Sequence, residues 1–515
     1  MPLYGKNGKG KYNKSAILPL YIIMKKHKLT FLGTIATLLL TMFACTDDDS
    51  FSTSAGLRLT FSEDTIFLDT VFSRVPTAAK SFWVFNHSGD GIRCSQVKLE
   101  KGNQTGFRVN VDGTYLSSTL GYQTQNVEIR NKDSIRVFVE LTSPENGIEG
   151  PQLLEDNIVF TMESGVEQKV NLNAYTWDAE ILSNLVIKGD TTLGGEKPTV
   201  IYGGIRVDSL ATLHIPAGKT LYFHAGAGID VYGRLLVEGT AEQNVILRGD
   251  RLDHMFDYLP YDLVSGQWNG IHFFESSYDN RLEYMDLHST FHGIVCDSSD
   301  ISRTKLELWN STVHNCQGAA LQEVSSMVNV YNTLLSNTLG PCADISGGNV
   351  VLQHCTMAQF YPFDAMRAPA LQFHNGPGQP MQLACVNSLV TGYAEDVIMG
   401  SQNDTTEVFD YRFIGSILRT PKVETADSVR FESVIWENTE DTLGTGDNHF
   451  RLVDISTQHY DFHLDSLSTA IGKAHKDYAL PTDRDGKPRG DSPDIGCYQY
   501  VALPAEQEPT PPASE

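Results

Sequence analysis

The segments LELWNSTVHN (306–315), VNVYNTLLSN (328–337) and VVLQHCTMAQ (350–359) fall into line when the sequence is written in steps of 22 residues. Asn310, Asn332 and His354 then share one slot. Each segment is a short run of alternating apolar residues, a polar turn and a second short run. Alternation with period two marks strands with one buried face. A unit of about 22 residues cannot bury that face alone, so neighbouring units must stack into one continuous core. LEYMDLHSTFHGI (282–294) has the same shape upstream, and LACVNSLVTG (383–392), YRFIGSILRT (411–420) and VRFESVIWEN (429–438) repeat it downstream with drift. Variable spacing means loops inserted at the corners. The pattern predicts a right-handed parallel β-helix over 195–440, followed by C-terminal rungs and a cap over 441–503.

Short alternating runs also fill 55–178, among them Leu57–Phe61, Phe82–Phe85, Ser134–Leu141 and Asn157–Phe160. Breaks such as HSGDG (87–91) and SPENG (143–147) are turns. Six or seven strands in about 120 residues predict a β-sandwich. No long window shows a helical period, so the fold class is all-β: a sandwich, then a β-helix.

The chain has 515 residues and a formal charge of -24. Residues 1–44 hold seven lysines and no acidic residue; without them 32 basic residues face 63 acidic ones, a net charge of -31. Such a surface repels phosphate backbones and argues against a nucleic-acid partner. Among the eight cysteines there is no CxxC pair, which removes support for a zinc or redox motif.

The basic stretch Met24–Lys28 precedes the uncharged apolar run Leu29–Ala44. That run is shorter than a membrane-spanning helix and ends in a small residue, the layout of a signal peptide over 1–44 with Met24 as the expected start. It leads into Cys45 and then Asp47, Asp48 and Asp49. LTMFAC (40–45) resembles a bacterial lipobox, which implies lipidation at Cys45. The aspartates resemble the acidic export signal of surface lipoproteins. A lipidated linker over 45–54 and an outer-membrane, surface-exposed location follow from that resemblance. The Pro/Glu-rich end, 504–515, is expected to be disordered.

IPAGKTLYF (215–223), VYGRLLVEGT (231–240) and QWNGIHFF (267–274) resemble the first rungs of bacterial right-handed β-helix repeat proteins. SEDTIFLDTVF (62–72) and DSIRVFVELTSP (133–144) resemble the immunoglobulin-like module at the start of some of their cell-surface lipoproteins. PTDRDGKPRGDSPDIGCYQY (481–500) resembles the segment that closes many extracellular β-helix proteins, with Cys497 as a packed small residue.

β-Helices carry lyases, hydrolases and non-catalytic adhesins, so the fold does not choose among them. The array lacks the Asn-Thr-Asp, Asp-Asp and Gly-His-Gly elements of a polygalacturonase-like hydrolase, and Arg is scarce in its rungs. The strongest candidate is the insertion GDRLDHMFDYLPYDLVSGQW (249–268), which holds Asp253, His254, Asp257, Tyr258, Tyr261, Asp262 and Trp268. Its aromatics suit sugar rings, and calcium is the one ion its aspartates would suit; otherwise no cofactor is expected. His288 and His292, four apart in a strand-and-turn context, do not share a face, and no metal site is predicted. The expectation is a non-catalytic, adhesin-like binding module for a glycan or a surface protein. The alternative is a carbohydrate-active lyase or hydrolase.

Overall fold

The computed structural model describes residues 50–503 apart from 257, 426, 438, 439, 441 and 442. Cys45, Asp47, Asp48, Asp49, the expected leader over 1–44, the tail 504–515 and Asp257 lie outside the described residues. The fold is all-β: the helical turns among the described residues are short 3₁₀ segments.

The first unit consists of two five-stranded sheets. One orders the strands Thr60–Phe61, Lys80–Phe85, Ser134–Leu141, Phe107–Val111 and Thr114–Tyr115; the other orders Thr65–Phe72, Glu167–Trp177, Gln152–Met162, Ile92–Leu99 and Gln123–Ile129. Pairing is antiparallel except between Thr65–Phe72 and Glu167–Trp177. Alternation decides which side chains face inward: Ile135, Val137, Val139 and Leu141 are buried while Arg136 and Phe138 are not. The inward rows of both sheets form one apolar core that also takes in Cys94.

The second unit is a parallel β-helix, with one parallel ladder of 18 strands and another of ten. Its first strand is Glu180–Ile187, paired parallel with Thr199–Val207. The stack thus begins inside the stretch that the sequence leaves between its units. The 22-residue step is seen directly: Trp309, Tyr331 and Gln353 are register partners in turn. A single apolar core runs from Ile187 to Leu418.

The recurring slot has a conformational cause. Tyr284, Asn310, Asn332, His354, Asn387 and Ser433 all have φ between 46° and 53°, and Gly415 has 56°. This is the left-handed bend between the two ladders, which Asn and Gly enter at least cost. The side chains stack along the axis: Asn332 Nδ2 donates to Asn310 at 3.1 Å, and Asn387 Nδ2 lies 3.2 Å from His354 Nε2.

The C-terminal segment meets the last rung at Ile435 and at Glu437, which accepts from Gly446 and pairs with His449. Rings of Phe373, Phe409, Tyr411, Phe413, Phe431 and Trp436 pack at that end. After the antiparallel pair Phe450–Asp454 and His459–Leu464, the chain turns back as a strap along the corner row. His475 N–H donates to Asn387, Asn332 donates to the Thr482 carbonyl, and Arg484 donates to Asn244, 240 residues earlier. Cys497 is fully buried beneath this strap, with its N–H on Thr356 Oγ1 at 3.0 Å. All seven described cysteines are free and buried.

Candidate functional site

A cleft of about 690 Å³ lies where three parts of the chain converge on one flank of the β-helix. The 249–268 insertion forms one wall, Gln458 and the strand His459–Leu464 another, and the strap near Arg484 and Asp485 a third. Outward residues of successive rungs make the floor: Asp286, Thr312, His314, Leu334, Ser336 and Asn337. Strand pairing sets their order, with Asp286 beside Thr312 and Leu334, and His288 beside His314 and Ser336.

The cleft's carboxylates are tied into ion-pair networks. His288 Nε2 lies 2.7 Å from Asp262 Oδ1 and its Nδ1 lies 2.8 Å from Asp286 Oδ1. His314 Nε2 reaches the same Asp286 oxygen at 3.2 Å, and Arg248 holds Asp262 at 2.9 Å. On the opposite wall His463 lies between Asp461 at 2.5 Å and Asp485 at 2.9 Å, with its ring 4.1 Å from that of Tyr498.

The electrostatics follow from this pairing. Burial opposes ionisation of Asp286, yet His288 and His314 beside it hold its carboxyl well below the ordinary range. Burial is likewise outweighed at Asp485, where the hydrogen bond from His463 helps bring the value to about 2. Burial would lower His463, but Asp461 and Asp485 raise it to about 9. Asp262 and Asp461 are also lowered against burial by their histidine partners.

Three buried polar atoms on the cleft lining, Ser336 Oγ, Asn337 Oδ1 and Tyr460 Oη, have no hydrogen-bond partner. Ser336 and Asn337 are 1% and 2% exposed. Buried polar groups are almost always satisfied, so three unpartnered oxygens on residues of one lining set this cleft apart.

The seven insertion residues read from the sequence divide. Asp253 and Asp262 line the cleft, with Asp253 clamped by Arg251. Tyr261 lies under the Arg251 guanidinium, 3.7 Å from its ring centre. His254 points to Asp69 of the sandwich, and Tyr258 is exposed beside Phe256. Trp268 belongs to the core: it is fully buried, stacks on Phe223 at 4.1 Å and donates to the His288 carbonyl. Asp257 lies outside the described residues.

Asp286, Asp461, His463 and Asp485 carry no reading from the sequence. Asp461 and His463 alternate on one face of a strand, as do Asp286 and His288, and His314 follows His288 by one rung. Those are legible signals. The strap that brings Asp485 to them is not, because it depends on contacts across more than 150 residues.

No family model matches this chain, and no curated protein matches it. Among solved structures, a family 123 glycoside hydrolase from Clostridium perfringens is 7% identical over 25% of this chain, with a TM-score of 0.17; the chain covers 30% of that structure. The ASH/PapD-like domain 7 of human CEP192 is 10% identical over 24% of this chain and 88% of its own, with a TM-score of 0.16. The catalytic unit of a GH87 alpha-1,3-glucanase from Streptomyces thermodiastaticus is 10% identical over 70% of this chain and 89% of its own, with a TM-score of 0.16. TM-scores of this size carry no argument, and the fold described above rests on the strand registers.

Proposed function

We propose that this chain is a lipid-anchored surface protein whose β-helix binds a glycan in the 690 Å³ cleft without catalysis. On this reading Cys45 carries the lipid, Asp47 to Asp49 direct the protein to the surface, and the sandwich is an immunoglobulin-like spacer. The β-helix itself is taken to be right-handed, as nearly all parallel crossovers are.

One observation carries the binding site: Ser336, Asn337 and Tyr460 line one cleft, and each holds a buried side-chain oxygen without a partner. A hydroxyl-rich ligand offers both donors and acceptors to such atoms. Tyr460, Phe462 and Tyr498 supply apolar surface on the same lining. Binding is favoured over hydrolysis because Asp262, Asp286, Asp461 and Asp485 each already accept from a histidine. A glycosidase needs one carboxyl kept protonated to serve the leaving oxygen.

A glycan array and a polysaccharide-degradation assay on the purified chain test this. The expected result is retention of a glycan class with no product, and a three- to tenfold loss of affinity in Tyr460→Phe, which removes only the hydroxyl. Release of reducing ends or unsaturated sugars overturns the non-catalytic reading. Retention of no glycan overturns the ligand class.

A further inference from the structure

Asp286 and His288 stand two residues apart on one strand and therefore share a face; His314 is the register partner of His288 on the next rung. We propose that Asp286, His288 and His314 bind one divalent transition-metal ion of the zinc class at the cleft floor, with Asp262 orienting His288. Asp286 Oδ1 lies 2.8 Å from His288 Nδ1 and 3.2 Å from His314 Nε2. Donors that share an ion at about 2.0–2.1 Å stand about 2.8–3.4 Å apart for angles of about 90–110°, so these separations suit a common ion. All three ligand atoms lie within 4.8 Å of one another. A small rotation of His314, whose side chain is 22% exposed, closes the remaining side.

Two imidazoles and one carboxylate favour zinc or a neighbouring transition metal over calcium or magnesium, which take all-oxygen shells. The far nitrogen of His288 meets Asp262 at 2.7 Å, and Arg248 fixes Asp262 at 2.9 Å. A carboxylate behind a metal-bound histidine sets its tautomer and ring orientation. A second observation points to a ligand here. Ser336, the register partner of His314, is 1% exposed and its Oγ, on the cleft lining, has no partner. The open side of the ion faces the same cleft, and the inference rests on the glycan reading only for what completes the coordination.

The test uses Zn²⁺ and Co²⁺ alone on the full chain after chelation. Calorimetry is expected to give one Zn²⁺ per chain, and Co²⁺ to give visible d–d absorption. His314→Ala should lose at least tenfold in Zn²⁺ affinity while circular dichroism stays unchanged, and Asp262→Asn about 10–100-fold. A folded His314→Ala that keeps full affinity overturns the site. If that variant misfolds, the wild type decides: saturating Zn²⁺ must raise its unfolding midpoint, and an unmoved midpoint overturns the site. Zn²⁺ binding without glycan retention supports this site and sinks only the glycan reading.

Discussion

Glu323 is a carboxyl at a core-facing position of the rung strand Leu321–Val324, with 0% exposure. Its Oε1 accepts from the backbone and hydroxyl of Ser326, and its Oε2 has no partner. Burial pushes its pKa up to about 8, against the opposing hydrogen bonds. The folded chain therefore keeps a proton that the unfolded chain releases near 4.5. Between those two values the native state binds more protons, so stability falls as pH rises from about 4.5 to 8 and then levels off. Over that window the loss is on the order of 3–5 kcal/mol. Glu323→Gln should remove this slope and unfold later than wild type at pH 8.5, as read by urea midpoints at pH 5 and 8.5. Equal slopes in both proteins refute the assignment. Nothing in the alternation of LQEV marks this residue as inward, since a glutamate in a strand usually faces water.

Periodic elements were legible where the backbone itself repeats. The slot shared by Asn310, Asn332 and His354 is readable because a left-handed bend recurs there and few residues accept it. The strap's course was not legible, since its partners are carbonyls and corner amides far away in sequence. Asn332 shows how much rests on one such residue: it donates to Asn310 and the Thr482 carbonyl and accepts from Arg489 at 2.9 Å. Arg489 is 2% exposed, and burial brings its pKa down to about 10. Asn332→Ala removes one of three acceptors of that Arg489 nitrogen and both bonds Asn332 donates, at a position with φ 46°, and should cost about 1–3 kcal/mol. Denaturant unfolding measures the loss, and proteolysis within 480–500 should become faster; an unchanged midpoint with intact protease resistance contradicts the role given to the strap.

For the whole molecule, the sandwich and the β-helix meet through a small apolar joint. Phe72 lies 6.0 Å from Trp177 and 4.8 Å from Tyr222, with Ala179 and Val200 beside them. His254 of the insertion adds a contact to Asp69 at 3.5 Å, so the cleft's wall is braced by the first unit. The proposed anchor acts at this scale. Cys45→Ala should leave protein that no longer partitions with outer membranes but keeps its ligand affinity, as judged by fractionation and binding side by side. Undiminished membrane retention contradicts lipidation.

The strap also has a consequence for how the protein is made. Its contacts tie Asn244, Thr312, Asn332 and Asn387, which are synthesised early, to Arg484, Arg489 and Gly496, which come late. A chain synthesised from its N-terminus can stack its rungs as they emerge, yet their corner row lacks its strap until the last residues arrive. A product cut short before position 475 leaves Asn332 and Asn387 without their strap partners. The seam thus closes last: the corner row is complete only in the finished chain.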